Sequence, residues 1–179
     1  MTFERLIVGG LETNCYILKS GKFGIIIDPG AEAKKISEKA SDLDIILILL
    51  THSHSDHIGA LQEVKEAFKA RAAVHQLDWR PGFDLELVDN QEIEFGEEQL
   101  KILHTPGHTP GSCCFLKGNV LFSGDTLFRD GYGNTAFPGG DEQAILRSIR
   151  EKLLKLPDET NVYPGHGPST TIGRERGLY

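Results

Sequence analysis

An apolar segment that ends in a cluster of histidines constrains the fold of this chain more than any other feature. Asp44–Leu50 is almost continuously apolar, which is typical of a strand buried on both faces. It leads directly into Thr51–His57, a segment that contains three histidines and an aspartate. Polar side chains at the carboxyl end of a buried strand are typical of α/β proteins, which place their sites there.

The rest of the chain alternates between predicted strands and helices. Further strands are predicted at Asn14–Leu18, Phe23–Ile27, Ala72–His75, Gln91–Phe95, Gln99–His104, Ser112–Leu116, Val120–Ser123 and Asn161–Tyr163. Helices are predicted at Ala31–Ala40, Ile58–Lys69 and Asp141–Lys155. This order indicates two sheets with helices outside them but does not fix the topology. No linker or repeat interrupts it, so we expect residues 1–179 to form a single domain.

Charge, cysteine content and hydropathy exclude several classes of protein. The net charge of −7 and the lack of basic clusters make nucleic acid a poor substrate. The three cysteines do not form a disulfide framework, and the first residues lack a signal-peptide pattern. The longest apolar run, Ile45–Leu50, is too short to span a bilayer. We therefore expect a cytoplasmic protein without a membrane partner, while its oligomeric state stays open.

The histidine cluster has the composition of a metal site. On an extended loop, alternation turns His52 and His54 to the same side, and Asp56 and His57 follow at the turn into a helix. Imidazole and carboxylate together suit zinc, iron or manganese. Alternatively, the histidines cluster on a solvated loop and Asp56 caps the following helix.

Three further residues follow other predicted strands or lie in a rigid loop. His108 lies in a loop rich in proline and glycine, Asp125 follows the strand Val120–Ser123, and His166 follows the strand Asn161–Tyr163. Each alone is better explained as a structural histidine or a turn aspartate. Together with the first cluster, they form a coherent set of metal ligands.

This ordered set resembles the metallo-β-lactamase fold superfamily, and within it the glyoxalase II-like (hydroxyacylglutathione hydrolase-like) enzymes. The resemblance implies the α/β (α+β) class, as a four-layer αββα sandwich with metals at one edge of its two sheets. It implies that one metal is bound by His52, His54 and His108, and a second by Asp56, His57 and His166. Asp125 would bridge both metals, whereas true β-lactamases carry a cysteine at that position.

The resemblance implies a hydrolase with two divalent metal ions, of which zinc is the first choice and iron or manganese are alternatives. Two such ions can hold a hydroxide at neutral pH, because a metal lowers the pKa of bound water to about 7. This bridging hydroxide would attack the acyl carbon of a thioester such as S-(2-hydroxyacyl)glutathione. Asp56 is the catalytic candidate, because it could orient the nucleophile as well as bind metal.

The chain departs from its relatives in two places that concern the substrate. Relatives often read Gly-Arg-Thr-Asp where this chain has Gly133–Ala136, so Arg129, Tyr132 and Asn134 are the remaining candidates for substrate binding. Only 13 residues follow His166, so we do not expect the helical region with which glyoxalase II enzymes bind glutathione.

Four more residues are candidates for supporting the metal ligands. Tyr16, Thr51 and Thr171 are candidates by resemblance alone. His104 precedes the His108 loop and could hydrogen-bond a ligand, although a structural role is equally compatible with its position.

Two other functions are compatible with the same residues. Persulfide dioxygenases share the fold but use one iron, bound by two histidines and an aspartate. A non-catalytic metal-binding protein is the third possibility, and an incomplete ligand set would indicate it. All seven ligand positions are filled here, which favours an enzyme.

Overall fold

The computed structural model describes residues 1–179, which form two six-stranded sheets flanked by helices. The strands of the first sheet are β1 Thr2–Val8, β2 Thr13–Ser20, β3 Phe23–Ile27, β4 Asp44–Leu49, β5 Arg71–His75 and β6 Leu85–Leu87. Those of the second are β7 Glu92–Phe95, β8 Glu98–His104, β9 Cys113–Lys117, β10 Val120–Gly124, β11 Asn161–Pro164 and β12 Thr170–Thr171. The helices are α1 Ala33–Lys39, α2 Ser55–Ile58, α3 Leu61–Phe68, α4 Glu142–Glu151 and α5 Ile172–Glu175.

Both sheets contain antiparallel and parallel strands. In the first sheet the strands follow one another in chain order, antiparallel from β1 to β3 and parallel from β3 to β6. In the second, β10 and β11 are the parallel pair among antiparallel neighbours. Helical connections precede β4, β5 and β11, as parallel pairing requires a crossover.

Three apolar clusters hold four layers together, which confirms the predicted αββα sandwich. One cluster lies between the sheets and includes Ile25 and Leu49 from the first sheet with Phe115 and Phe122 from the second. A second cluster joins the outer face of the first sheet to α1 and α3, and a third joins the second sheet to α4. Strand β4 contributes to both faces, as its continuous apolar pattern predicts.

The structure corrects two predicted helices. The segment predicted as one helix over Ile58–Lys69 is two, α2 and α3, and they are separated at Gly59 and Ala60. Gly59 packs against the backbone of the loop after β3, where a Cβ would lie 2.4 Å from the Gly30 oxygen. The helix predicted over Asp141–Lys155 ends at Glu151 and continues as a 3₁₀ turn. Asp141 begins it, because its side chain accepts a hydrogen bond from Ala144 N.

The sequence pattern missed short or peripheral elements. Strand β1 pairs only with β2 at the edge of its sheet and buries only Leu6 and Val8, so its alternation is weak. Strands β6 and β12 and helix α5 have at most four residues each, too few for a periodic signal.

The three cysteines are free thiols, and all three are buried. Burial raises the pKa of Cys114 to about 11 and raises the pKa of Cys15 and Cys113 further. These thiols therefore pack as small apolar side chains. No helix has both the length and the hydropathy needed to cross a membrane.

Candidate metal centre

All seven predicted ligand residues follow strands that end at one edge of the sandwich or lie in the loop between β8 and β9. His52, His54, Asp56 and His57 follow β4 and extend into α2. Asp125 follows β10 and His166 follows β11, while His108 lies between β8 and β9. The carboxyl ends of β4, β10 and β11 are thus brought together from distant parts of the chain.

The first group of candidate donors consists of three histidines. One donor atom from each of His52, His54 and His108 lies within 4.8 Å of the other two. His108 Nε2 lies 2.9 Å from His54 Nδ1, so two nitrogens point at each other. The rings of His52 and His108 meet edge to face, with centroids 4.7 Å apart. This arrangement offers three convergent nitrogens to one cation.

The second group combines two histidines with a carboxylate. Asp56, His57 and His166 also offer donor atoms within 4.8 Å of one another. Asp56 Oδ2 lies 3.1 Å from His166 Nε2 and 3.4 Å from His57 Nε2. The two histidines converge as well, because their Nε2 atoms are 3.3 Å apart.

Asp125 lies between the two groups. Its Oδ2 is 3.5 Å from His108 Nε2, and its Oδ1 is 3.5 Å from His57 Nε2. It also forms a candidate donor triplet with His52 and His57. One carboxylate therefore faces donors of both groups.

The unsatisfied polar atoms test whether these residues fit a metal. His52 Nε2 and Asp125 Oδ1 are buried and have no hydrogen-bond partner. A buried polar atom without a partner is costly and needs an explanation. A divalent cation accepts electron pairs from both atom types, so the donor set fits the metals that the family implies.

Backbone and side-chain acceptors fix the tautomers of the histidines. His108 Nδ1 donates to the Asn134 carbonyl at 2.8 Å, and His166 Nδ1 donates to the Leu11 carbonyl at 3.0 Å. A carbonyl can only accept, so the proton lies on Nδ1 and the lone pair on Nε2. Hydrogen bonds of this kind orient metal-binding histidines.

Asp28 supports the first part of the motif, and the sequence analysis missed it. This buried carboxylate accepts hydrogen bonds from Thr51 N at 2.8 Å, Thr51 Oγ1 at 2.6 Å and His57 Nδ1 at 2.8 Å. The Thr51 hydroxyl also lies 3.1 Å from His52 Nδ1. Asp28 therefore orients His57 directly and His52 through Thr51.

Asp78 plays the corresponding part for the other loops and was also missed. It accepts hydrogen bonds from Ser53 N at 3.1 Å, Thr109 Oγ1 at 2.7 Å and Gly111 N at 2.8 Å. Ser53 precedes His54 and Thr109 follows His108, so one carboxylate fixes both loops. An aspartate after a predicted strand, as at Asp28, was a usable signal, but its burial was not visible in the sequence.

Burial and neighbouring charges shift the titration of the site. Burial lowers the pKa of His52 well below its usual value, and neighbouring imidazoles add to this effect. Burial opposes the charged form of His57 too, but the Asp28 carboxylate outweighs it and raises the pKa of His57 to about 9. Burial likewise disfavours ionised Asp56, yet the hydrogen bond from His166 and the nearby His57 lower its pKa. Asp56 is therefore a carboxylate at neutral pH.

The donor atoms open into a cavity of about 480 Å³. His54, Asp56, His108, Asp125 and His166 form its polar floor. Leu11, Phe128 and Phe137 also line it, and no lysine or arginine does. The volume is in the range of small-molecule sites.

The three predicted substrate-binding residues lie in different places. Asn134 lines the cavity, whereas Arg129 is exposed and does not line it. Tyr132 donates to Glu142 Oε1 at 2.7 Å and packs near Tyr179. Arg129 and Tyr132 therefore do not replace the charged pair that relatives carry, because the chain places their side chains outside the cavity.

The predicted supporting residues also differ from one another. Thr51 contacts His52 as described, and Tyr16 donates to the Pro164 carbonyl at 2.6 Å, two residues before His166. Thr171 caps α5 by accepting from Arg174 N and contacts no candidate ligand. The prediction that His104 hydrogen-bonds a ligand is wrong.

His104 has structural partners instead. Its Nε2 donates to the Pro110 carbonyl at 2.9 Å, and its ring stacks on His75 with centroids 3.9 Å apart. The two rings lie at the ends of β8 and β5, so this stack joins the two sheets.

Close backbone packing at Gly30 fixes α2 and gives a first testable prediction. A Cβ at Gly30 would lie 1.7 Å from the Asp56 oxygen. Gly30→Ala must therefore displace the helix that carries Asp56 and His57. We expect a loss of about 1–3 kcal/mol in the free energy of unfolding, measured by thermal denaturation of the metal-free protein, and weaker metal binding.

Gly10→Ala is the matched control. A Cβ at Gly10 would meet no atom within 4 Å, so this variant should unfold and bind metal like the parent protein. Equal melting temperatures for Gly30→Ala and Gly10→Ala would show that α2 does not depend on this contact.

Comparisons with known proteins place this geometry in a family. The family model of the metallo-beta-lactamase superfamily matches residues 8–166. The hydroxyacylglutathione hydrolase GloC of Haemophilus influenzae is 37% identical, over 98% of this chain and 95% of the relative.

Two solved structures share the fold closely. The BLEG-1 B3 metallo-beta-lactamase has a TM-score of 0.89 at 36% identity and covers 98% of this chain and 97% of its own. ETHE1 from Myxococcus xanthus has a TM-score of 0.88 at 29% identity and covers 98% of this chain and 82% of its own. The similarity therefore extends over nearly the whole chain.

Proposed function

The chain belongs to the metallo-beta-lactamase superfamily, and from this premise we propose that it hydrolyses thioesters with two divalent metal ions. Superfamily membership and the candidate donor set support a metal-dependent hydrolase in general. The observation that carries the proposal is the convergence of five imidazoles and two carboxylates, with His52 Nε2 and Asp125 Oδ1 buried and unpartnered.

In this proposal the seven residues hold two metals, and zinc is the first to test. His52, His54 and His108 hold one ion, and Asp56, His57 and His166 hold the other. Asp125 bridges them, since its two oxygens face both groups. When bound, such ions supply a nucleophile from water at neutral pH and polarise a carbonyl oxygen.

The side chains of the chain itself position the reactants. Asp56 is ionised and lies on the cavity floor, so its carboxylate can accept a hydrogen bond from the attacking water and orient it. A thiolate leaves without needing a proton, which suits a cavity whose side chains offer no dedicated general acid. The similarity to GloC makes S-(2-hydroxyacyl)glutathione the first substrate to assay.

We also propose that residues 1–179 act as one domain. The family model spans residues 8–166, and the candidate donors come from segments that follow both sheets. No separate substrate-binding unit is needed for this site.

The function is tested on one purified sample with three substrates. We expect hydrolysis of S-lactoylglutathione, two metal ions per chain by elemental analysis, loss of activity on chelation and recovery on adding zinc. Oxygen uptake with glutathione persulfide and one iron per chain would instead support a dioxygenase, which the similarity to ETHE1 makes the second candidate.

A β-lactam is the third substrate, because the similarity to BLEG-1 concerns the same fold. We expect no appreciable hydrolysis of a chromogenic cephalosporin under conditions that hydrolyse the thioester. Efficient cephalosporin hydrolysis without thioester hydrolysis would contradict the proposal.

A further inference from the structure

The cavity above the candidate metal centre has an apolar wall that the proposed reaction does not use. Three residues form this wall: Leu11, Phe128 and Phe137. Leu11 is 67% exposed and Phe137 is 50% exposed, so neither belongs to the core. Single exposed apolar residues are ordinary, but several on the rim of one cavity indicate a binding surface.

The wall stands on both sides of the polar floor. The Phe137 ring lies edge-on to His54, with centroids 5.6 Å apart, and 6.4 Å from the His108 ring. On the other side, the Phe128 ring lies edge-on to His166 at 6.3 Å, and the Leu11 carbonyl accepts from His166 Nδ1. A group held at the floor is therefore flanked by apolar surface.

The cavity offers few polar partners beyond its floor. No lysine or arginine lines it, and Arg129 and Tyr132 lie outside it. Asn134 is already engaged, since its carbonyl accepts from His108 Nδ1 and its Oδ1 accepts from Ala136 N. A carboxylate or an amide placed against the wall would lose its hydrogen bonds to water without replacement.

We propose that the wall binds the acyl chain of the thioester and selects an uncharged, apolar one. The acyl side is chosen because thiol carriers are polar molecules whose amides and charges need partners that this wall lacks. The inference rests on the proposed function and names its substrate class: thioesters of aliphatic acids, with Leu11 and Phe137 as the residues that determine specificity.

A series of substrates that differ only in the acyl chain tests the proposal. N-acetylcysteamine thioesters of acetic, butyric and hexanoic acid keep one small, uncharged thiol. Burying a methylene contributes about 0.8 kcal/mol, or about fourfold in kcat/KM when complete. Because the wall covers only part of the chain, we expect kcat/KM to rise about twofold to fourfold for each added methylene.

Two variants show whether the wall is responsible. Leu11→Ala and Phe137→Ala remove exposed side chains, so both should fold, and each should lower the hexanoyl-to-acetyl ratio of kcat/KM at least about threefold. Val88→Ala is the matched control, because Val88 is 52% exposed and does not line the cavity. Its ratio should equal that of the parent protein.

The possible failures are distinguishable. If no thioester of the series is hydrolysed, S-lactoylglutathione included, the proposed function is wrong. If thioesters are hydrolysed but the ratio is flat in the parent protein, or unchanged in both wall variants, the proposed function stands and the acyl-chain inference is overturned.

Discussion

Asp56→Asn is expected to lower kcat/KM for thioester hydrolysis by at least about a thousandfold, which corresponds to about 4 kcal/mol of transition-state stabilisation. The substitution keeps the size of the side chain and removes its negative charge. In our proposal the carboxylate has two roles, as a ligand of the second ion and as the acceptor that orients the attacking water. An amide fulfils both poorly, so the effect should be large.

Metal analysis separates these two roles. We expect the variant to retain less than two ions per chain, because Asp56 shares its group with His57 and His166. Circular dichroism should show an intact fold, since the Asp56 side chain accepts only a 3.3 Å hydrogen bond from Thr13 Oγ1 and contacts two histidines.

Asp130→Asn is the control for Asp56→Asn. Asp130 pairs with Arg174 on the surface and lies outside the cavity, so its replacement should leave kcat/KM and metal content unchanged. An Asp56→Asn protein with two ions per chain and full activity would contradict both proposed roles of Asp56.

Asp28→Asn is expected to weaken metal binding about tenfold to a hundredfold, although Asp28 is not a proposed ligand. Its carboxylate accepts three hydrogen bonds from Thr51 and His57. An asparagine offers one oxygen and one donating amide, so at least one of these donors must lose its acceptor. His57 and, through Thr51, His52 would then be free to rotate away from the donor set.

The same substitution should destabilise the protein. Asp28 and His57 form a buried pair, and breaking such a pair by removing one partner costs about 3–5 kcal/mol. Metal affinity must therefore be measured on the folded protein, by competition with a chelator at low temperature. Activity should recover at high metal concentration if Asp28 acts through the ligands.

Asp84→Asn is the matched control for Asp28→Asn. Asp84 also accepts a backbone hydrogen bond, from Ala72 N, and pairs with a cation, Lys65, but it lies away from the candidate donors. We expect it to change stability modestly and metal affinity not at all. Equal metal affinity in the Asp28 and Asp84 variants would show that Asp28 does not orient the site.

Most of the layer architecture was predictable because its signals are local. Alternation marks strands such as Phe23–Ile27, and the continuous apolar pattern of β4 marks burial on both faces. The short elements, such as β6 and β12, contain too few residues for a period to show. The break between α2 and α3 depends on Gly30, which is distant in sequence from Gly59.

The sequence by itself determined which residues the site is made of, because imidazoles and carboxylates at strand ends are chemically specific and their order is visible. Only the tertiary structure decided which of them face one another. It also identified Asp28 and Asp78 as the carboxylates that hold the loops, and it excluded Arg129, Tyr132 and His104 from the cavity and its ligands. The physical reason is that orientation depends on hydrogen bonds between segments far apart in the chain, such as the bond from His57 to Asp28, 29 residues away. No local pattern encodes such a bond.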